Sequence, residues 1–137
     1  LSDKGVYRIM VVEDDPLDFG FFTTAFKEIP AQTELFNWPT VEGAVEEILQ
    51  TACEIAVVDI NLRDGSGIDV IREIRAHPRL GKMPLVALSS SVSDIDVSEC
   101  YEAGVNAYVE KPLSMEKYRM FAKAFGTFWL ESAVLPD

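Results

Sequence analysis

Histidine and cysteine are scarce in this chain of 137 residues: one His, His77, and two Cys, Cys53 and Cys100. A lone imidazole gives no zinc tetrahedron, and the cysteines fit neither a metal clip nor a redox pair. Both thiols are expected to be reduced packing residues of a cytoplasmic protein. His77, with Pro78 after it, is expected at the fraying end of a helix. Positive charge is also thin, with 12 Lys and Arg against 23 Asp and Glu, a net charge of -11. That balance disfavours nucleic acid and anionic membrane as partners. The acids are scattered, as on a solvated surface, and form no tail. No apolar run approaches the ~18 residues of a spanning helix. Residues 1–5 are polar after Leu1, so no signal peptide is expected, and the absence of an initial Met suggests a trimmed amino end. There is no internal repeat and no low-complexity linker.

What the chain does have is ordinary globular content, 48% hydrophobic and 26% charged, enough to bury a core. Its length suits one domain spanning 1–137. Five apolar stretches read as strands: Val6–Val12, Thr33–Trp38, the run from Ile55 to Asp59, Leu85–Leu88 and Asn106–Glu110. Helical spacing alternates with them. Pro16 suits a first turn, and Phe22, Ala25, Phe26 and Ile29 form a stripe that Pro30 stops. Thr40 is expected to cap a helix carrying Val41, Ala44, Val45, Ile48 and Leu49. A third helix should run from Gly67 to Ala76, opened by the turn Asp64-Gly65-Ser66-Gly67. A fourth, Asp94–Ala103, has a weak apolar stripe in Val97, Cys100 and Tyr101. The last is capped by Ser114 and bears Tyr118, Phe121, Ala122 and Phe125. Strands alternating with helices predict a three-layer α/β fold, a doubly wound parallel sheet of five strands with five helices.

Open sheets of this kind bind ligands beyond the carboxyl ends of their strands. Four of those ends deliver Glu13 and Asp14, then Asp59, then Ser89, then Lys111. Three crowded carboxylates repel one another and invite a cation. Hard oxygen ligands with room for water suit magnesium. A hydroxyl and an ammonium facing the same place are what phosphoryl oxygens require.

The pieces VVEDDP (11–16), VVDINLRDGSG (57–67), VALSS (86–90) and AYVEKP (107–112) together resemble the receiver domains of two-component response regulators. The likeness covers a core of about 6–125, with 126–137 as an apolar extension. It implies a flavodoxin-like sheet of order 2-1-3-4-5. It implies that Asp59 is phosphorylated by a sensor histidine kinase or a His-phosphotransfer protein. Magnesium would be held by Asp14 and Asp59, by the Asn61 backbone carbonyl, and by Glu13 through water. Ser89, with Ser90 beside it, and Lys111 would bind the phosphoryl group while Tyr108 swings inward. The Lys111-Pro112 bond would be cis. Arg63 departs from the pattern, standing where a proline is frequent, and Asp15 is an additional acid. Asn61 and Ser91 are expected to flank the phosphoryl path.

The ending FGTFWLESAVLPD is similar to the ends of stand-alone receivers that partner phytochrome-type kinases, some of which dimerise. It predicts either a cover for the domain's own core or a homodimer face using Phe125, Phe128, Trp129 and Leu130. With the chain ending soon after its last helix, output is expected through protein contacts or phosphorelay. Two other readings stay open: a passive binding module, and a magnesium-dependent phosphohydrolase. The hydrolase would ordinarily need a second acid where Asn61 stands.

Overall fold

A computed structural model describes residues 5–136. In chain order the elements are β1 (Tyr7–Val12), α1 (Pro16–Phe26), β2 (Thr33–Trp38), α2 (Ala44–Thr51), β3 (Ile55–Asp59), β4 (Asn61–Leu62), β5 (Gly65–Ser66), α3 (Gly67–Ala76), β6 (Leu85–Ser89), α4 (Asp94–Ala103), β7 (Ala107–Glu110) and α5 (Met115–Phe125). A π-helical segment, Gly126–Ser132, continues α5. The main sheet is parallel with order β2-β1-β3-β6-β7, and β4-β5 form a separate short hairpin. Counted over the five long strands, this is the expected 2-1-3-4-5.

β3 lies at the centre, and all five of its residues are buried. Side chains alternate across a strand. Ile55 and Val57 therefore join Ile9, Val11, Val86 and Leu88 beneath α1 and α5. Ala56 and Val58 join Met10, Val12, Leu85 and Ala87 on the face of α2, α3 and α4. The first face is aromatic. Phe22 meets Tyr118 edge-on at 5.1 Å and Phe26 meets Phe125 at 5.4 Å, geometries that aromatic rings favour. The same alternation carries past the strand ends and sorts the polar residues there.

Three expectations need correction. α1 ends at Phe26 rather than reaching Ile29, because the Glu28 amide turns back to the Ala25 carbonyl at 3.1 Å. Thr40 does not cap α2; its hydroxyl donates to the Glu42 carbonyl at 2.8 Å, and Gly43, at φ 86°, precedes the helix. Asp64 takes the amides a cap would have served, accepting from Val41 at 2.9 Å and Glu42 at 3.4 Å. The Lys111-Pro112 bond is trans, like every other peptide bond among the described residues. An X–Pro amide intrinsically prefers trans by only about 0.5–1 kcal/mol.

Two glycines allow close approaches. A Cβ on Gly67 would collide with the Asp59 carbonyl oxygen, so only glycine lets α3 begin directly behind β3. A Cβ on Gly126 would sit 2.9 Å from Ile29 Cδ1, where the chain leaving α5 crosses the turn after α1. That crossing divides the expected dimer face. Phe125 and Leu130 are buried in the α1/α5 core and so are not available to a partner, whereas Phe128 is exposed and Trp129 half-buried.

Candidate functional site

Four strand ends and their loops deliver the site. Glu13 shares the parity of Ile9 and Val11, Asp59 that of Val57, and Lys111 that of Val109, so all three side chains turn to the α1/α5 face. Glu13 and Asp59 are buried, at 1% and 3% exposed. Carboxylate oxygens of Glu13, Asp14 and Asp59 lie within 4.8 Å of one another. Lys111 Nζ stands among them, 2.7 Å from Asp59 Oδ2, 2.9 Å from Glu13 Oε1 and 3.0 Å from Asp18 Oδ2.

Each carboxylate is oriented from the backbone. The Asn61 amide donates to Asp59 Oδ1 at 2.9 Å, the Asp15 amide to Glu13 Oε2 at 3.0 Å, and the Arg63 amide to Asp14 Oδ2 at 2.8 Å. Glu13 Oε1 is the exception. It lies at ion-pair distance from Lys111, but the angle makes no hydrogen bond, leaving a buried acceptor oxygen unsatisfied. Buried orphans of this kind are rare and call for a partner. A hard divalent cation between three carboxylates supplies one, so the donor set fits such an ion.

The electrostatics agree. Burial, aided by repulsion from Asp59 and only partly offset by Lys111, pushes the Glu13 carboxyl up to about 7. Burial alone would lower the Lys111 ammonium. Its pairing with Asp59, Glu13 and Asp18 outweighs that and raises it above its ordinary value. Among the described residues, Lys111 is the one ammonium paired with these acids.

Ser89 and Tyr108 fall on the opposite parity, towards α4. Ser89 is buried; its hydroxyl donates to Asn61 Oδ1 at 3.3 Å and accepts from the Ser91 amide at 3.0 Å. Ser90 beside it is exposed. The Tyr108 hydroxyl donates to the Ser91 carbonyl at 2.6 Å, and the Tyr108 amide donates to the Tyr101 hydroxyl at 3.1 Å. Ser91 donates its own hydroxyl to Asp96 at 2.7 Å and so ties the loop to α4.

Sequence reasoning missed three participants. Asp15 caps α1, accepting from the Leu17 amide at 2.9 Å, which the Asp-Pro pair could have signalled. Asp18 reaches Lys111 from the first turn of α1. Arg63 stands out in the sequence only as a departure from the pattern, and its contact, through a backbone amide, leaves no signal of its own.

The family described as a response regulator receiver domain matches residues 9–122. FilR2 of Methanothrix harundinacea, a probable methanogenesis regulatory protein, is 33% identical over 137 residues, covering 95% of this chain and 88% of that one. Response regulator Rcp1 of Synechocystis is 33% identical over 82 residues, 60% of this chain and 56% of Rcp1. The match thus spans little more than half of that relative. In three dimensions the Mn2+-bound form of Rcp1 superposes with a TM-score of 0.84, covering 96% of this chain and 99% of that one at 27% identity. The phosphorylated cyanobacterial phytochrome response regulator RcpA gives a TM-score of 0.87, also at 27% identity and with the same 96% and 99% coverage.

Proposed function

Since the chain belongs to the response regulator receiver domain family, a phosphoacceptor switch served by a histidine kinase, we propose that Asp59 is its acceptor and magnesium the divalent ion it uses. Asp14 and Asp59 would hold that ion by carboxylate oxygens and Asn61 by its carbonyl, with Glu13 behind. When bound, the ion supplies positive charge beside the incoming phosphoryl group.

The remaining work falls to the chain's own residues. An Asp59 oxygen attacks phosphorus in line, and the phosphorus–nitrogen bond of the kinase phosphohistidine breaks as the imidazole takes back its electron pair and a proton. Lys111, already 2.7 Å from Asp59, faces the negative charge of the transferred group, and the fixed Asn61 amide holds the nucleophile in place. Positioning and electrostatics carry such transfers. The product adds roughly 1.5 to 2 negative charges. Ser89 answers by leaving Asn61 for a phosphoryl oxygen, which loosens the Ser91 loop and frees Tyr108 to follow. The signal leaves through α4.

The observation that carries this reading is Lys111 shared between Asp59 and Glu13 beside a third carboxylate. Likeness to RcpA supports a phytochrome-type kinase as donor. The exposed Phe128 and half-buried Trp129, lining an apolar groove of about 480 Å³ with Met120 and Leu113, support a homodimer. Beryllium fluoride mimics the bound phosphoryl group. With Mg2+ present, a bound 19F resonance is expected to saturate at one equivalent per chain and to vanish in Asp59→Asn. A resonance that survives that substitution would exclude Asp59 as acceptor.

A further inference from the structure

We propose that Arg63 is a positioning residue of the cation site, acting on Asp14 through two separable contacts. This rests on the reading of Asp14 and Asp59, with Glu13 behind them, as the carboxylates of the cation site. The Arg63 amide donates to Asp14 Oδ2 at 2.8 Å, and the guanidinium Nε lies 3.7 Å from the same oxygen. Lys111 pairs with Glu13, Asp18 and Asp59. Among the described residues, Arg63 is the cationic side chain paired with Asp14.

The two contacts differ in kind. Arg63 is the first of two residues between Leu62 and Gly65, which pair across the β4-β5 hairpin. Its neighbour Asp64 is tied to the Val41 amide at 2.9 Å. The Arg63 N–H therefore belongs to a backbone pinned on both sides and cannot turn away. Its charge-assisted bond sets the plane of the Asp14 carboxylate and leaves the other oxygen to the ion. The guanidinium, by contrast, is on a side chain 82% exposed and reaches an Asp14 that is 15% exposed. At 3.7 Å it makes no hydrogen bond. Its contribution is charge alone: it offsets Asp14 while no ion is bound and yields when one arrives, so it competes with the ion that its own amide helps to seat.

Substitution separates the two roles. Arg63→Ala keeps the amide and deletes the guanidinium. Arg63→Pro deletes both, at a turn position where proline's fixed φ is ordinarily accommodated. The probe is Mn2+, its free fraction read by electron paramagnetic resonance, with Mg2+ as competitor and no phosphodonor present. Arg63→Ala is expected to bind up to roughly fivefold more tightly than wild type at low salt, the gain fading as salt is raised. Arg63→Pro is expected to bind about tenfold or more weakly than Arg63→Ala. Equal affinity in the two variants, or weaker binding in Arg63→Ala than in wild type, overturns the proposal.

A second measurement does not depend on the proline variant. Melting of metal-free protein in a cycle of Arg63→Ala and Asp14→Asn is expected to show a coupling of roughly 2 °C, whereas strict additivity overturns the role of the guanidinium. Wild type that binds Mn2+ while the variants behave alike defeats only this inference. Wild type that binds none defeats the reading of the cation site as well.

Discussion

Glu13 is the residue at which burial and charge conflict most. Its carboxyl, pushed up to about 7 by desolvation first and by Asp59 second, starts from 4.5 in the unfolded chain. Between those values the unfolded state has lost its proton and the folded state has kept it. Stability of the metal-free protein therefore falls as pH rises through that window and levels off above it. A cation demands the ionised form, so Mg2+ affinity is expected to climb from about pH 5.5 to pH 7 and then flatten. Calorimetric titration at several pH values checks this, and Glu13→Gln is expected to remove the slope. Lys111 makes the complementary case. Lys111→Met leaves buried Glu13 and Asp59 without their ammonium, a loss on the order of 3–5 kcal/mol. Melting in EDTA is expected to show a large drop that Mg2+ restores more fully than it raises wild type; equal Mg2+ effects on both proteins would contradict it. At this scale the acids and Lys111 were legible because each closes an apolar strand. Asp18 and Arg63 were not, because one lies within a helix and the other acts through an amide that any residue but proline provides.

α4 is the element whose packing differs from the rest. Cys100 is its single buried residue, and Ile95 is 74% exposed. Polar contacts hold it instead: the Ser93 cap at 3.3 Å, Ser91 on Asp96 at 2.7 Å, and the Tyr101 oxygen taking the amide of Tyr108 at 3.1 Å. Few buried apolar contacts mean a low local opening energy. Hydrogen exchange is expected to be faster in α4 than in α1 or α5. Tyr101→Leu, which deletes the acceptor, is expected to speed exchange at Tyr108 at least several-fold. Unchanged exchange there would show that the tie holds nothing. The weak stripe in 94–103 already pointed to this helix. The boundaries of β2, α3 and α4 were likewise legible in full, since local caps and apolar spacing set them. The start of α2 was not, because the residues ahead of it, Val41 and Glu42, turn their amides to Asp64 in a hairpin distant in sequence. The trans bond before Pro112 was missed because the two isomers differ by so little.

Across the whole molecule, the aromatic face between α1 and α5 and the segment after it form one body. Leu130 is 6% exposed within that core, while Phe128 at 56% is not part of it. The extension thus covers the core with Leu130 and leaves Phe128 exposed beside it. Phe128→Glu is expected to leave the melting temperature nearly unchanged and to convert a sedimenting dimer to monomer. A wild type that sediments as monomer would end the dimer proposal. Leu130→Ala is expected to lower stability by about 2–4 kcal/mol in denaturant titration, as burial implies.

The central claim is that Asp59 accepts phosphate with the help of a divalent ion and Lys111. Incubation with acetyl phosphate and Mg2+, followed by intact mass and peptide mapping after borohydride reduction, tests it most directly. One phosphoryl group per chain, mapped to Asp59 and absent when EDTA replaces Mg2+, is the predicted result. No adduct, or an adduct mapped to another residue, would contradict it.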